Sequence, residues 1–410
     1  MNKEFHKKQN FFSFSDIDSE RKDRIMKFTS TEATPAPHVP PGVLRLTGAA
    51  KEDIPMYRIQ TMNKISPVGL NRFPSELYEV GDAVQDPQGI LVRSAKLLDL
   101  EFNPSLLAIA RAGVGVNNIP LDRCAAAGIP VFSTPGANAN AVKELVVCAM
   151  LMGSRDIPGA IRWVREQAAS GVDVSTVVEK GKSAFIGPEL YKKTLGIIGL
   201  GAIGSIVANT AISLGMDVYG YDPFLSVDTA LRLDRHVHVV KDINDLYKRS
   251  DYITMHIHYT EKTAHMIDAD AIAAMKRGVR VINLARGEIV DDEAMLTALD
   301  TGMVAAYITD FPNNRLLTAP HVIAMPHLGA STPESEQNCA AMAVDTLRDY
   351  LESGNIRSSV NLPEMTMDRS GVQRLCVLHK NVPGMLANIT SLFGRDGVNV
   401  ENLSNKSRGD

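Results

Sequence analysis

From Tyr57 onward, short apolar runs alternate with amphipathic stretches long enough to form helices. Apolar runs bounded by Gly, Pro or polar residues predict strands at 89–93, 106–110 and 129–132. Apolar residues at helical spacing, without a breaker, predict a long helix at 139–151 that leads out of this first part. Strands and helices in alternation are typical of an α/β fold built on a parallel sheet.

A second alternation begins at residues 194–199, a nearly continuous apolar run of the kind that parallel sheets bury on both faces. Further strands are predicted at 217–221, 252–256, 279–283 and 322–325. This succession predicts a doubly wound dinucleotide-binding domain. A helix is predicted to follow it at 333–351.

Changes in composition suggest the remaining boundaries. Residues 1–55 lack a sustained period and become rich in Pro, Thr and Ala, which predicts a disordered leader. We expect two doubly wound parallel-sheet domains, a substrate-binding one at 56–150 with 328–360 and a dinucleotide-binding one at 151–327. A third, small unit is expected at 371–410.

Composition excludes several classes of protein. With 410 residues, 45% of them hydrophobic, the chain can bury the cores of two or three domains. Its net charge of -4 comes from interspersed acids and bases, so nucleic acid is not an expected partner. The longest apolar run, 145–152, is far shorter than a membrane span of roughly 20 residues, so no membrane is expected either. Four cysteines without metal-type or redox-type spacing favour structural thiols, a reducing compartment and a cytoplasmic location, and we expect no metal.

The run Gly199-Leu200-Gly201-Ala202-Ile203-Gly204 directly follows the predicted strand at 194–199 and opens a predicted helix. In such a turn the first glycine permits the sharp bend, the second lets the backbone approach a pyrophosphate, and the third allows close helix packing. The next strand ends at Asp222, whose carboxylate can accept hydrogen bonds from a ribose 2′-OH and would repel a 2′-phosphate. The sequence therefore predicts a site for NAD.

Four segments together resemble the D-isomer-specific 2-hydroxyacid dehydrogenase family, most of all its phosphoglycerate dehydrogenases. They occur in the expected order along the chain: Arg111–Asn118, Gly199–Gly204, Asn283–Asp291 and Pro326–Thr332. The resemblance extends from about Tyr57 to the C-terminus.

This resemblance implies the catalytic residues. The arginine of the N-x-A-R-G run, here Arg286, binds the substrate carboxylate and keto oxygen, a role that suits a planar guanidinium. The histidine of the P-H-x-G run, here His327, exchanges the hydroxyl proton, since imidazole titrates near neutrality. A surface ion pair for Arg286 and a structural role for His327 are the alternatives. Leu284 and Asp310 are expected to contact the cofactor, with Ala202, Ile203 and the glycines of the loop.

One position departs from the family. The glutamate that pairs with the histidine falls at Asn314, two residues after Pro312. An amide can orient an imidazole but carries no charge to stabilise its protonated form. The resemblance therefore leaves open lowered activity, altered pH dependence or loss of turnover, and Asp310 is a nearby carboxylate that could compensate in part.

In the family, basic residues and loop amides of the first domain hold the substrate phosphate. Here the matching residues are Arg93, Arg111, Val114 and Gly115, and strand ends rich in glycine suit anions because their N–H groups are unpaired. Asn138 and Asn140 either line the same cleft or cap the helix that follows, and capping is the preferred interpretation.

The C-terminal residues resemble the opening half of an ACT domain, an amino-acid-sensing module. Residues 373–379, 381–386 and 397–400 are expected to form strand, helix and strand, and His379 to Gly384 match the effector segment. Half of such a module exposes a sheet edge, so serine inhibition of this chain is doubtful.

The function that the resemblance implies is NAD-dependent oxidation of 3-phospho-D-glycerate to 3-phosphohydroxypyruvate in L-serine biosynthesis. Another D-2-hydroxyacid is an alternative substrate, because the fold serves many. A catalytically impaired, NAD-binding regulatory relative is the alternative that Asn314 keeps open. The resemblance also implies a homodimer or a higher homo-oligomer.

Overall fold

The computed structural model describes residues 56–368, 374–395 and 397–407, and at residues 43–47 it describes the backbone. The elements form two compact units, which we call the first unit (Met1–Ala137 with Glu336–Asp410) and the second unit (Asn138–Ser335). The sequence suggested boundaries near residues 150 and 327. In the structure, the helix that begins at Ala139 packs on strands of the second unit and belongs with it.

In chain order the strands are β1 (Val43–Thr47), β2 (Tyr57–Met62), β3 (Tyr78–Gly81), β4 (Gly89–Val92), β5 (Ala108–Arg111), β6 (Val131–Phe132), β7 (Thr194–Ile198), β8 (Asp217–Tyr221), β9 (His238–Val240), β10 (Tyr252–Met255), β11 (Val279–Asn283), β12 (Val304–Thr309), β13 (Val322–Ala324) and β14 (Arg374–Leu378).

The helices are α1 (Pro67–Leu70), α2 (Leu121–Ala126), α3 (Ala139–Arg155), α4 (Ile157–Ala169), α5 (Val174–Gly181), α6 (Ala202–Ser213), α7 (Val227–Ala230), α8 (Ile243–Arg249), α9 (Ala269–Ala273), α10 (Asp292–Asp300), α11 (Pro333–Ser353) and α12 (Met385–Arg395). Short 3-10 helices lie at Lys182–Phe185, Gly287–Ile289 and Leu316–Thr318.

The first unit is built on a parallel five-stranded sheet in the order β3-β2-β4-β5-β6. Strand β4 is buried along its whole length because both faces of the sheet are covered. On one face, apolar side chains of α11, such as Val344 and Leu347, pack against the sheet. On the other face, Cys124 of α2 joins a second core cluster.

The second unit is built on a parallel seven-stranded sheet in the order β13-β12-β11-β10-β7-β8-β9. Helices α3 and α6 cover one face of it, and helices α8, α9 and α10 cover the other. The chain adds strands outward from β7 on one side through β9 and then returns to β10 on the other side. Ligands of open α/β sheets bind where the order reverses, so the carboxyl ends of β7 and β10 are the expected position of a site.

Aspartates start several helices of the second unit. The side chains of Asp242, Asp268 and Asp291 each accept a hydrogen bond from a backbone N–H in the first turn of the helix that follows. These N–H groups have no partner within the helix, so each cap satisfies a donor and fixes where the helix begins. The rigid helices then hold the strand ends in place.

The structure corrects two expectations for the termini. Residues 43–47 of the expected leader form a strand that pairs antiparallel with β14, Val43 opposite Leu378; the rest of the leader lies outside the described residues. Residues 397–400, expected to be a strand, form none. Strand β14 has its partner in β1, which precedes it by most of the chain, whereas the predicted module pairs neighbouring segments.

Across the described residues, no helix combines the length and apolar character needed to cross a membrane.

Candidate active site

The turn after β7 has a shape that only glycines allow at two positions. Gly199 has a φ of +89°, and a Cβ there would lie 2.6 Å from the carbonyl oxygen of His256. A Cβ on Gly204 would lie 1.9 Å from the carbonyl oxygen of Gly199. The first glycine thus allows contact with the end of β10, and the last allows α6 to pack against the turn.

The middle glycine of the turn faces open space. A Cβ on Gly201 would have no protein atom within 4 Å. The backbone N–H groups of Ala202 and Ile203, at the start of α6, donate no hydrogen bond to any described residue. Unpaired N–H groups at a helix start favour an anion, so this open cradle fits the pyrophosphate of a dinucleotide.

Asp222 follows β8 and is tied to the same turn. Its Oδ2 accepts a hydrogen bond of 2.9 Å from the N–H of Leu200, and its Oδ1 accepts one of 2.9 Å from the N–H of Phe224. Each carboxylate oxygen has a further lone pair, so the half-buried group can still accept from a ribose hydroxyl. The role of Asp222 toward a ribose stays a prediction.

Arg286 is placed by the last residue of β11. Asn283 is fully buried; its Nδ2 donates to the carbonyl oxygen of Arg286 at 2.8 Å, and its Oδ1 accepts from the N–H of Ala285 at 3.1 Å. These two bonds hold the turn after the strand. The guanidinium of Arg286 then lies over the ring of Phe311, with its Cζ 5.8 Å from the ring centroid.

His327 lies against the same phenylalanine. Its ring centroid is 4.7 Å from that of Phe311, and its backbone N–H donates to the carbonyl oxygen of Asp310 at 2.9 Å. The residue has a φ of +39°, a left-handed conformation that is rare for a non-glycine residue. The structure therefore brings Arg286 and His327 together around Phe311, with the histidine ring exposed to solvent.

Asp310 follows β12 and is only 1% exposed. Its Oδ2 accepts a hydrogen bond of 3.0 Å from the N–H of Gly329, while its buried Oδ1 has no partner among the described residues. Burial raises the pKa of Asp310, and the N–H of Gly329 and the positive charges of His327 and Arg286 oppose that rise. A carboxylate thus sits beside both predicted catalytic residues.

Asn314 lies on the exposed loop after β12. Its side chain makes no hydrogen bond within the described part of the chain, whereas its neighbours are anchored to α10. Asn313 donates to Asp292 at 2.6 Å, and Arg315 forms an ion pair with Glu293. The loop is therefore held by the residues on either side of Asn314.

The predicted phosphate-binding residues lie in the first unit, at the ends of β4 and β5. The Nη2 of Arg93 is 2.5 Å from the Oε1 of Glu336, and the Nε of Arg111 donates to the carbonyl oxygen of Arg93 at 3.0 Å. The N–H groups of Val114 and Gly115 donate to no acceptor in the residues described. The unit thus combines two guanidinium groups with two available amides.

One predicted role is wrong. Asn138 precedes α3, but its side chain makes no capping hydrogen bond, and its buried Oδ1 has no partner in the described structure. Asn140 instead donates to Glu144 on the next turn of the helix. Leu284, predicted to contact the cofactor, has its side chain in the hydrophobic core; the cofactor roles of Leu284 and Asp310 stay predictions.

Sequence reasoning missed His256, Asn283 and Phe311. His256 follows β10 and faces the glycine turn; its Nε2 is 3.1 Å from the Oγ1 of Thr254, and burial lowers its pKa to about 3, so the ring is neutral. The usable signal was position, because Asn283 ends a strand of the parallel sheet, His256 directly follows one, and Phe311 lies two residues past another. No group of three or more His, Cys, Asp or Glu side chains among the described residues could hold a metal ion.

Comparison with known proteins identifies relatives of this chain. A family model described as "D-isomer specific 2-hydroxyacid dehydrogenase, NAD binding domain" matches residues 147–329. D-3-phosphoglycerate dehydrogenase of Synechocystis sp. is 36% identical over 326 residues, which are 77% of this chain and 56% of that protein. The enzyme of the same name from Escherichia coli is 33% identical over 336 residues, 78% of each protein.

Solved structures show the same architecture. NAD+-bound 3-phosphoglycerate dehydrogenase of Entamoeba histolytica has a TM-score of 0.59 and 26% identity, covering 75% of this chain and 99% of that one. D-mandelate dehydrogenase of Rhodotorula graminis has a TM-score of 0.63 at 21% identity, covering 75% and 98%, and supports the fold alone. This chain spans little more than half the length of several curated relatives. With the matches in sequence and fold, the chain belongs to the D-isomer-specific 2-hydroxyacid dehydrogenase family.

Proposed function

We propose that this protein oxidises 3-phospho-D-glycerate to 3-phosphohydroxypyruvate with NAD, the reaction that commits carbon to L-serine. The observation that carries the proposal is the pair Arg286 and His327, held around Phe311 in the unit that also contains the glycine turn. A guanidinium that binds a carboxylate and an imidazole that accepts a proton are what a 2-hydroxyacid dehydrogenase requires. The curated relatives named D-3-phosphoglycerate dehydrogenase support this substrate.

In this scheme Arg286 binds the substrate carboxylate and orients the hydroxyl-bearing carbon. NAD, when bound, supplies the acceptor for the hydride that leaves this carbon. The neutral imidazole of His327 takes the proton of the substrate hydroxyl, and the protonated ring returns it in the reverse reaction. Its exposed ring allows proton exchange with solvent.

The preference for NAD over NADP is assigned to Asp222. Its carboxylate is fixed beside the turn by two backbone N–H groups, so it cannot easily swing away from a 2′-phosphate. A second negative charge at that point would be repelled, whereas a 2′-hydroxyl can donate to the carboxylate. The assignment of a nicotinamide dinucleotide as cofactor is supported by the family model and by the open space beside Gly201 at the start of α6.

The substrate phosphate is assigned to Arg93 and Arg111 with the amides of Val114 and Gly115. The ion pair between Arg93 and Glu336 is exposed, and pairs of that kind contribute little to stability, roughly 0–1 kcal/mol. A dianionic phosphate can therefore compete with Glu336 for the guanidinium at a small cost.

A homo-oligomer is proposed from helices α4 and α5. Ile161 and Val164 of α4 are 50% and 39% exposed, and Val178 of α5 is 37% exposed. Exposed apolar side chains on neighbouring helices are candidates for a surface that associates. In a symmetric pair the same face would contribute from both copies.

The glycine turn gives a prediction that separates stability from cofactor binding. Gly201→Ala adds a methyl group where the protein has open space, so the melting temperature should change little while the Kd for NAD rises about tenfold or more. Gly204→Ala places a methyl against the backbone of Gly199 and should lower the melting temperature. Thermal unfolding and calorimetric titration measure both. If Gly201→Ala binds NAD as tightly as the wild type, the cradle does not hold the cofactor.

Turnover is tested by following NADH absorbance with 3-phospho-D-glycerate and NAD across pH. Arg286→Ala should lower kcat/KM by about a hundredfold or more, because its charge-assisted bonds act on the reacting group. Arg235→Ala, an exposed arginine of the same unit, is the matched control and should leave kcat/KM unchanged. Intact NAD binding without turnover on any D-2-hydroxyacid would instead support a regulatory relative.

The assignment of Arg93 to the substrate phosphate predicts that this residue affects phosphorylated substrates and not unphosphorylated ones. Arg93→Ala should raise the KM for phosphoglycerate about tenfold or more, the effect of losing a hydrogen bond between charged groups, and leave the KM for unphosphorylated D-glycerate unchanged. Glu336→Gln, which removes the competing carboxylate, should leave the KM for phosphoglycerate equal or lower it. Equal effects of Arg93→Ala on the KM of both substrates would show that Arg93 does not bind the phosphate.

Self-association is checked by light scattering coupled to size-exclusion chromatography. Ile161→Glu should convert an oligomer into monomers, since it places a charge in the proposed apolar contact. Val239→Glu alters a residue of similar exposure (48%) on β9 and should leave the oligomer intact. A wild-type protein that elutes as a monomer at all concentrations contradicts the proposed contact.

A further inference from the structure

A cavity of about 80 Å³ lies in the second unit at the amino ends of β7, β10 and β11, on the edge of the sheet opposite to the glycine turn. These strands pair in parallel, so their amino ends meet at one edge. The cavity, which we call the amino-edge cavity, is lined by Pro188, Lys193, residues 251–252 and residues 276–280. A single buried water needs a space of roughly 10–15 Å³, so this cavity has room for a small polyatomic ion.

The lining of the amino-edge cavity is positively charged. It contains four cationic side chains, those of Lys193, Lys276, Arg277 and Arg280, and one carboxylate, that of Asp251. Lys193, Lys276 and Arg280 are half-buried, and Arg277 is exposed. Water therefore screens three of the four positive charges less than it screens charges on an open surface.

Both oxygens of Asp251 already have partners. Oδ1 lies 3.0 Å from the Nζ of Lys276, and Oδ2 accepts a hydrogen bond of 2.8 Å from the N–H of Thr194. The carboxylate thus balances the charge of Lys276 and holds the start of β7. Within the described part of the chain, no carboxylate forms an ion pair with the other three cations of the lining.

The two arginines are held in place and keep further donors. The Nε of Arg280 donates to the carbonyl oxygen of Gly153 at 2.8 Å, and its Cζ lies 5.4 Å from the ring centroid of Tyr252. The Nη2 of Arg277 donates to the carbonyl oxygen of Thr301 at 2.7 Å. A guanidinium has five N–H donors, so each arginine can bind a second acceptor without losing the first.

Lys193 is fixed through its backbone and not through its side chain. Its N–H donates to the carbonyl oxygen of Leu190 at 3.0 Å, and its own carbonyl oxygen accepts from the N–H of Asp217 at 3.0 Å. Its ammonium forms no hydrogen bond or ion pair with any described residue. A half-buried ammonium beside other cations is repelled by them, and an anion in the cavity would offset that repulsion.

The chemistry of the lining favours one class of anion. Several charges of one sign around a recess add their fields and raise the local concentration of counter-ions. Arginine binds phosphate oxygens through paired N–H donors, and lysine binds them as a compact charge. A phosphate offers more oxygens than a carboxylate does, so it can accept from three separate cations at once.

We propose that the amino-edge cavity binds a phosphate dianion, as the free ion or as the phosphate group of a small ester, through Lys193, Arg277 and Arg280. The anion would connect the amino ends of β7 and β11. This site differs from the one assigned to the substrate phosphate, because Arg93 and Arg111 belong to the first unit. The inference does not depend on the proposed function, since it concerns the edge of the sheet away from the candidate active site.

The test is calorimetric titration of the full chain with inorganic phosphate at constant ionic strength, which keeps the screening equal. Arg93→Ala is the background protein, because it weakens the other proposed phosphate site. In this background, phosphate should still bind saturably. Adding Lys193→Gln should raise the Kd about fivefold or more, since an interaction between charged groups is lost.

Lys192→Gln is the matched control in the same background. Lys192 is the preceding residue, it is exposed, and its Nζ lies 5.2 Å from the ring centroid of Tyr191 and not on the cavity. The same loss of one charge should leave the Kd within about twofold. Lys193→Glu, which reverses the charge, should abolish saturable binding. Thermal unfolding without phosphate reports whether each variant is folded, and the Lys193 variants should melt close to the background protein because the ammonium makes no bond.

Glycerol 3-phosphate separates the two sources of the phosphate group. Competition with inorganic phosphate in the Arg93→Ala background identifies an ester as a ligand, and lack of competition identifies the free ion; both agree with the proposal. The proposal is overturned if the background protein binds no phosphate, or if Lys193→Gln leaves the Kd unchanged. Equal weakening by Lys192→Gln and Lys193→Gln also contradicts it, because that result shows a general effect of surface charge.

Discussion

Parallel pairing in the second unit is the constraint on which the candidate site depends. Because β7 pairs in register with β8 and β10, and β10 pairs with β11, the carboxyl ends of the strands meet at one edge of the sheet. Strand β12 pairs in turn with β11, and the residues that end or follow these five strands are Gly199, Asp222, His256, Asn283 and Asp310. Residues far apart in sequence are thereby fixed together by backbone hydrogen bonds rather than by long side chains, and the side chains add only the final placement.

A glycine and two buried polar residues at that edge place the site in different ways. Gly199 lets the backbone of β7 contact the backbone after β10, which brings the turn close to His256, a half-buried residue with a neutral ring. Asn283 and Asp310 use their side chains to bind the backbone of the turns that carry Arg286 and His327. The two predicted catalytic residues are thus placed through buried polar neighbours, which ties the half-buried Arg286 and the exposed His327 to the rigidity of the core.

Local patterns predicted most of the fold and much of the site, since apolar runs, glycine spacing and a following aspartate all act over short distances. They identified strands of both sheets, the glycine turn and Asp222 at the carboxyl edge, whereas Asp310 was taken from the family resemblance and His256 and Asn283 were missed. They failed where the partner is distant in sequence: β1 pairs with β14 from the other end of the chain, and residues 397–400 lack a partner strand. The prediction that Asn138 caps a helix was wrong for another reason. A residue type that favours capping does not dictate where its side chain points.

Asn314 shows why position along the sequence is a poor guide to electrostatics. Two unit charges 4 Å apart interact by about 1 kcal/mol in bulk water and by about 4 kcal/mol at an effective dielectric constant of 20. A carboxylate on the exposed loop would be near the first limit, whereas Asp310, only 1% exposed, is nearer the second. Burial disfavours the charge on Asp310, and the Gly329 N–H, His327 and Arg286 offset that cost only in part, so the pKa of Asp310 stays above its usual value. The charge of an acid at the strand end is therefore screened less by water than the charge of an acid on the loop two residues past Pro312. The amide at Asn314 does not by itself imply a lost enzyme.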